Sequence, residues 1–438
     1  MVMDDSICIE SFLPWTRRSC SWCDLELRAV NRYLESLSYE NVNDVQVRLR
    51  LTAARGFCHH HAWQFVEVAR DNLGAALIYR DILGVLIEVL RPLASERDTK
   101  PVRNFLSRFP LWREPSLPSG ARKLLPTDTC PACEVLSDAL RDRGYNPDNL
   151  CLHHLRVALA SAEGHRREAL CQAWARKVER LLPQQTVTSV SGRFQRAAGL
   201  ASPRQSTLLD LIEVAFGKRG VISSLPTLTS TGPNSQCTPV LPPIDELAAL
   251  PLSTEECPLC ALLSYRMQEE LGSQAASLAE RVEALVSADD LCSVHAWRAL
   301  ELNGDPEEAR GQPLSAAQQG LIGKLRDASA SVASCRACRA QREWELAYAL
   351  QLGAYRAWET QQGWRSLCLP HLLLLLKTTP QAVGVLASSQ ISAWQRLRAE
   401  LGEYLRKQDY RFRNEPRGPE ETSPLRAIAA VAGARTIV

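Results

Sequence analysis

Long apolar runs are missing from this chain of 438 residues. Even the leucine run Leu372 to Leu376 falls far short of the ~18–20 residues that a membrane-crossing helix needs, so no membrane partner is expected. A surplus of one charge sign is also missing. Lys and Arg total 51 against 49 Asp and Glu, which disfavours nucleic acid or anionic lipid as a partner. Aromatic residues make up only 6%, and alternating apolar–polar stretches of the kind strands require are nearly absent. The first twenty residues open with acids and hold no apolar core of a signal peptide, so the reducing cytosol is the expected compartment. Catalytic signatures are lacking as well: there is no H-E-x-x-H, no Walker-type loop and no G-x-S-x-G.

Cysteine, in contrast, is plentiful. Fifteen cysteines in a reducing compartment call for a metal or redox explanation, and an odd number excludes a purely pairwise disulfide scheme. Twelve of them, with four histidines, fall into one recurring order. Cys20 and Cys23 are followed by Cys58 and His61, and Cys130 and Cys133 by Cys151 and His154. Cys257 and Cys260 are followed by Cys292 and His295, and Cys335 and Cys338 by Cys368 and His371. The C-x-x-C and C-x-x-H halves are separated by 34, 17, 31 and 29 residues.

The units alternate in type. The first and third share His-Ala-Trp (His61-Ala62-Trp63 and His295-Ala296-Trp297). The second and fourth share Leu-Cys-Leu-x-His-Leu at Leu150–Leu155 and Leu367–Leu372. This A-B-A-B order indicates duplication of a two-site module. The expected division is an N-terminal half over 1–185, a Ser/Thr/Pro-rich linker over 186–250, a C-terminal half over 251–415 and a tail over 416–438. One helix is expected within the linker, from Gln205 to Phe216. Apolar residues recur at helical spacing elsewhere, as in Leu170, Trp174, Val178 and Leu181 and again in Trp394, Leu397, Leu401 and Leu405. The expected fold is all-α: helical hairpins, each clamped by a site of three Cys and one His.

Two cysteines two residues apart can place both sulfurs on one tetrahedral ion, and a second pair completes the shell. Thiolates are soft donors and select zinc over magnesium or calcium, so four Zn²⁺ sites are expected. Each C-x-x-H pair is preceded by an apolar residue and then by Gly56, Asn149, Asp290 or Ser366, which places it in the first turn of a helix. Taken in chain order, each C-x-x-C would share its ion with the C-x-x-H that follows it. Buried free cysteines account for isolated positions but not for sixteen residues in register. A c-type haem needs His directly after C-x-x-C, where Asp24, Glu134, Ala261 and Arg339 stand instead. An iron–sulfur cluster with one His ligand stays open as an alternative.

Cys171 lies on the Trp174 stripe and is expected in the core, whereas Cys8 and Cys237 are expected to be ordinary thiols. His59, His60 and His153 neighbour ligand positions and are expected on exposed helix faces.

Cys257-Pro258-Leu259-Cys260, the four C-x-x-H pairs and the segment Leu405–Gly418 resemble a bacterial family of helical zinc proteins that has no assigned activity. The resemblance covers both halves but not the linker. It implies fold and metal, not a reaction. Within that last segment Tyr410, Arg411 and Arg413 are candidates for contact with a ligand or partner. The favoured reading of the segment is a structural arm, its aromatics packed inward and its arginines paired with Asp409 or Glu415.

The leading functional expectation is a non-enzymatic zinc-binding scaffold that contacts another protein. The alternatives are a zinc- or redox-responsive regulator, a nucleic-acid-binding protein, or a zinc hydrolase with one open site, for which His154 is the first ligand to question.

Overall fold

The computed structural model describes residues 20–69, 72–95, 116–141, 149–181, 207–221, 257–272, 275, 277–288, 290–306, 335–355, 366–412 and 414–436. Helices dominate these residues and no strand occurs among them, as the all-α expectation requires. Cys8, Cys237 and Arg413 lie outside the described residues.

The chain forms two compact units, and each draws on both sequence halves. The first comprises 1–27, 140–230 and 271–336, and the second 28–139, 231–270 and 337–438.

In chain order the helices are α1 (Ser21–Ser36), α2 (Val45–Ala53), α3 (His59–Ala69), α4 (Asn72–Ala94) and α5 (Pro131–Arg141). Then come α6 (Leu152–Ala160), α7 (Gly164–Glu179), α8 (Leu208–Phe216), α9 (Pro258–Leu271) and α10 (Leu278–Ala288). The remainder are α11 (Ser293–Glu301), α12 (Arg336–Tyr355), α13 (Leu369–Thr378), α14 (Val383–Arg406) and α15 (Ser423–Ala432).

The second unit is built on α4 against α14, with α15 packed on both. Tyr79, Leu83, Leu86 and Leu90 of α4 meet Trp394 and Leu401 of α14 and Ile428 of α15 in one apolar core. Full burial of such a side chain stabilises by about 1.5–3 kcal/mol. The residues expected to form a tail thus include a core helix. Among the described residues no single helix is long and apolar enough to cross a membrane. The leucines of α13 pass that test only together with Pro380–Arg406, across a 109° bend. Leu372, Leu375 and Leu376 belong to the core of the second unit.

In the first unit α6 packs on α7 and α8, and α8 also touches α10 and α11. The expected linker helix is present as α8. Thr207 caps it: its hydroxyl receives the Asp210 N–H, and the Asp210 carboxylate receives the Thr207 N–H, a reciprocal capping box. Leu208, Leu209, Ile212 and Phe216 are buried as their spacing predicts, but so are Leu211, Val214 and Ala215, so α8 is enclosed rather than half-solvated. Cys171, expected in the core, is exposed: it lies off the buried Leu170–Trp174–Val178 face of α7.

Candidate metal centres

All eight half-motifs use one local device. The first cysteine of each stands just before a helix, and the second ligand falls in its first turn. Backbone bonds from Asp24 N–H to Cys20 O, Glu134 N–H to Cys130 O and Ala261 N–H to Cys257 O mark these starts. Ala62, Leu155, Ala296 and Leu372 donate in the same way to Cys58, Cys151, Cys292 and Cys368. Pro131 and Pro258 occupy the first helical position, where no N–H is needed. Each cluster is therefore made of two helix N-termini, whose partial positive charge favours thiolate.

The sixteen residues gather into four clusters of three Cys and one His, but not in chain order. Cluster I joins Cys20 and Cys23 to Cys151 and His154, and cluster II joins Cys58 and His61 to Cys130 and Cys133. Cluster III joins Cys257 and Cys260 to Cys368 and His371, and cluster IV joins Cys292 and His295 to Cys335 and Cys338. The pairing is nested: within each half the outer motifs meet and the inner motifs meet. This corrects the expectation that each C-x-x-C shares its ion with the next C-x-x-H. The physical reason is that every half-motif is a helix start, so a site needs two such starts face to face rather than the two ends of one hairpin. The 17-residue gap between Cys133 and Cys151 need not close a site, because those residues serve different clusters.

Distances suit a single ion in each cluster. In cluster I His154 Nδ1 lies 3.1, 3.4 and 3.3 Å from the Sγ atoms of Cys20, Cys23 and Cys151, and Cys23 and Cys151 Sγ are 3.9 Å apart. Cluster II has His61 Nδ1 at 3.3, 3.6 and 3.3 Å from Cys58, Cys130 and Cys133, with Cys58 and Cys133 at 3.7 Å. Cluster III repeats this with His371 Nδ1 at 3.3, 3.4 and 3.1 Å from Cys257, Cys260 and Cys368, and Cys260 and Cys368 at 3.6 Å. In cluster IV His295 Nδ1 lies 3.2 and 3.5 Å from Cys292 and Cys335. A tetrahedral ion with ~2.3 Å bonds to sulfur has sulfur–sulfur edges of about 3.8 Å. The residues present fit such an ion.

Their electrostatics point the same way. Burial opposes ionisation of Cys20 and Cys257, but hydrogen bonds from neighbouring thiols and from His154 or His371 outweigh it and hold both well below the ordinary thiol range. Cys130 is lowered chiefly by hydrogen bonds from Cys133 and Cys58. The neighbours are driven upward. Cys23 is raised through its bonds to Cys151 and Cys20, Cys58 through Cys130 and Cys133, and Cys260 through Cys257. Burial raises Cys368, and the bond to Cys130 pushes Cys133 up to about 12. In clusters I, II and III one thiol is thus held low while a neighbour is driven up, whereas a divalent cation would stabilise the thiolates together.

Side chains outside the motifs set the ligands. Glu26 is buried in α1, and its Oε1 lies 3.1 Å from Nε2 of His154, a carboxylate behind the imidazole that fixes the ring with Nδ1 toward the sulfurs. Lys177 Nζ donates to Leu150 O at 2.9 Å, and the buried Gln390 amide both donates to Leu367 O and accepts from Leu367 N–H at 3.0 Å. Each holds the residue just before a ligand cysteine.

The histidines beside the ligands are less exposed than expected. His153 is buried, and the half-buried His59 places Nε2 2.9 Å from Ala434 O. In the C-terminal segment Arg411 pairs with Asp409, and Arg406 pairs with Glu403 and Glu415 and lies over the Phe412 ring. Tyr410 is 84% exposed rather than packed inward, because the single turn Tyr410–Phe412 buries no side chain.

No protein-family model, curated protein or solved structure matches this chain.

Glu26, Lys177 and Gln390 were not legible as site residues. Their roles depend on which helix start faces which, and the order of the motifs does not state that.

Proposed function

We propose that the protein is a zinc-stabilised, non-enzymatic helical scaffold that binds another protein in the cytosol, and that it is related to the bacterial family it resembles. One observation carries the reading: each cluster offers four protein ligands within 4.8 Å of one another, so an ion bound there has no position left for water or substrate. His154, the ligand whose displacement would favour a hydrolase, stands 3.1–3.4 Å from its three sulfurs. Three thiolates and one imidazole select zinc among the common divalent ions. With four such ions and twelve thiolates, the formal charge of +2 becomes about −2, which further disfavours nucleic acid. Tyr410, exposed beside Arg411, is the contact we assign to the protein partner.

Elemental analysis of the purified chain tests the first half: four zinc ions per chain are expected, and iron or an empty protein overturns it. Mild purification with mass spectrometry of what accompanies the chain tests the second. A partner lost from Tyr410→Ala is expected, and a fully loaded chain with no partner overturns it.

A redox-responsive regulator is the second reading, favoured by unequal burial. Every ligand of clusters I and III is buried, whereas Cys58, Cys130 and Cys133 of cluster II and Cys292 and Cys338 of cluster IV are partly accessible.

A further inference from the structure

Two short stretches, in the supposed linker and the supposed tail, repeat one another. Helix α8 ends at Phe216 and runs into Gly217-Lys218-Arg219, and α15 ends at Ala432 and runs into Gly433-Ala434-Arg435. Both glycines take positive φ, +79° and +91°, with extended ψ, a region open essentially to glycine alone.

Their contacts correspond one by one. Lys218 N–H donates to Cys23 Sγ at 3.5 Å, and Ala434 N–H donates to Cys260 Sγ at 3.5 Å. These sulfurs are the second cysteines of clusters I and III. The Trp297 indole N–H donates to Gly217 O at 3.1 Å, and the Trp63 indole N–H donates to Gly433 O at 3.1 Å. These are the tryptophans of the two His-Ala-Trp motifs, on the helices that open at clusters IV and II. Arg219 pairs with Glu301, and Arg435 pairs with Glu67, each acid six residues beyond its ligand histidine. Gly220 lies against Leu27, and Thr436 touches Ser264, positions related by the same duplication.

We infer that these Gly-x-Arg straps are duplicated positioning elements of the metal centres. Each supports one cluster through an N–H···S bond and fastens it to the ligand helix of a second cluster. In the first unit the strap after α8 joins cluster I to α11, and in the second the strap after α15 joins cluster III to α3. An ion leaving one cluster loosens the strap and, through it, the other. The duplicated module therefore includes these helices and is longer than the Cys/His motifs show. The inference rests on the clusters binding metal.

The test uses the zinc-loaded full chain, whose metal content is measured first. A chain that takes up no metal fails the metal reading itself and removes the basis of the coupling. The loaded chain is then challenged with a chelator while free thiols are alkylated and located by mass spectrometry. Trp63→Phe keeps an aromatic ring but removes the indole N–H together with the fused second ring, and the N–H it removes bonds to Gly433 O rather than to an atom of cluster III. Coupling predicts that Cys257, Cys260 and Cys368 are alkylated about fivefold faster in Trp63→Phe, the effect of one lost hydrogen bond. Trp297→Phe should do the same at Cys20, Cys23 and Cys151. Acceleration confined to Cys58, Cys130 and Cys133 in the first variant, or no acceleration at all, overturns the proposal. If Trp63→Phe loses its fold, seen as rapid alkylation at all four clusters, Arg435→Gln replaces it with the same expected and contrary outcomes.

Discussion

Glu26 illustrates how much of a metal site lies behind its ligands. Its carboxylate, buried in α1, is the partner that sets the tautomer and orientation of His154. The corresponding position in the second half is Leu263, six residues after Cys257, so cluster I alone of this outer pair has a carboxylate there. Glu26→Gln should weaken metal retention at cluster I about 10-fold while cluster III stays unchanged, as read by competition with a chromophoric chelator and alkylation of Cys20. Titration with protons has a defined sign. Thiols held above their ordinary range, such as Cys23 and Cys58, keep their protons at neutral pH in the ion-free clusters, and each ion must displace them. Zinc affinity should therefore rise from about pH 6 to pH 8, with protons released on loading, measurable in a weakly buffered solution. Accessibility gives a third residue-level outcome. Under mild peroxide Cys58, Cys130 and Cys133 should oxidise, and their ion escape, before Cys257, Cys260 and Cys368 react. Equal rates at both clusters count against a redox role.

At the scale of elements, the helix start is the repeated unit of construction. Cys151, Cys292 and Cys368 are each the capping residue of the helix that carries the ligand histidine three positions on. This much was legible in the sequence, because an apolar residue, a capping type and a C-x-x-H pair make a recognisable helix start. The pairing of starts was not, since local sequence fixes a helix but not which other helix faces it. The straps could have been read from the recurrence of Phe216-Gly-Lys-Arg as Ala432-Gly-Ala-Arg, but without cysteines they resemble linker and tail. Gly217 is the position least open to change. A Cβ there would stand 3.3 Å from the sulfurs of both Cys23 and Cys151. Gly217→Ala adds this crowding to a backbone conformation that costs about 1–3 kcal/mol for other residues, so a lowered melting temperature and loss of the cluster I ion are expected. Unchanged melting and metal content would mean that the strap is only loosely applied.

At the scale of the whole molecule, compactness and ancestry divide the chain differently. The duplication separates N-terminal from C-terminal motifs, but each compact unit takes segments from both. The ligand pairing can be tested there directly. Cys20→Ser should free Cys151 for alkylation and leave Cys58 protected, whereas pairing in chain order requires the reverse. Sequence reading named the sixteen residues that gather into the four clusters and placed the boundary between halves in the linker. It did so because α8 carries no ligand, and its burial is a property of packing rather than of any motif. The same limit hid α15. Ala427, Ile428 and Val431 make too short an apolar stretch to distinguish a core helix from an ordinary terminus.

Nested pairing also orders events in time. On a ribosome the inner cluster of the first half can close once residue 133 has emerged, whereas the outer cluster must wait for residue 154. The inner loop spans 75 residues and the outer 134, and this difference alters closure entropy by only about 0.5 kcal/mol. Order of emergence therefore decides the sequence of assembly more than loop length does. The strap from Gly433 to Arg435 is made after the residues of all four clusters. Until it arrives, the N–H that supports Cys260 and the carbonyl that receives Trp63 are both missing, so the nascent chain can hold its first ions long before its second unit is secured.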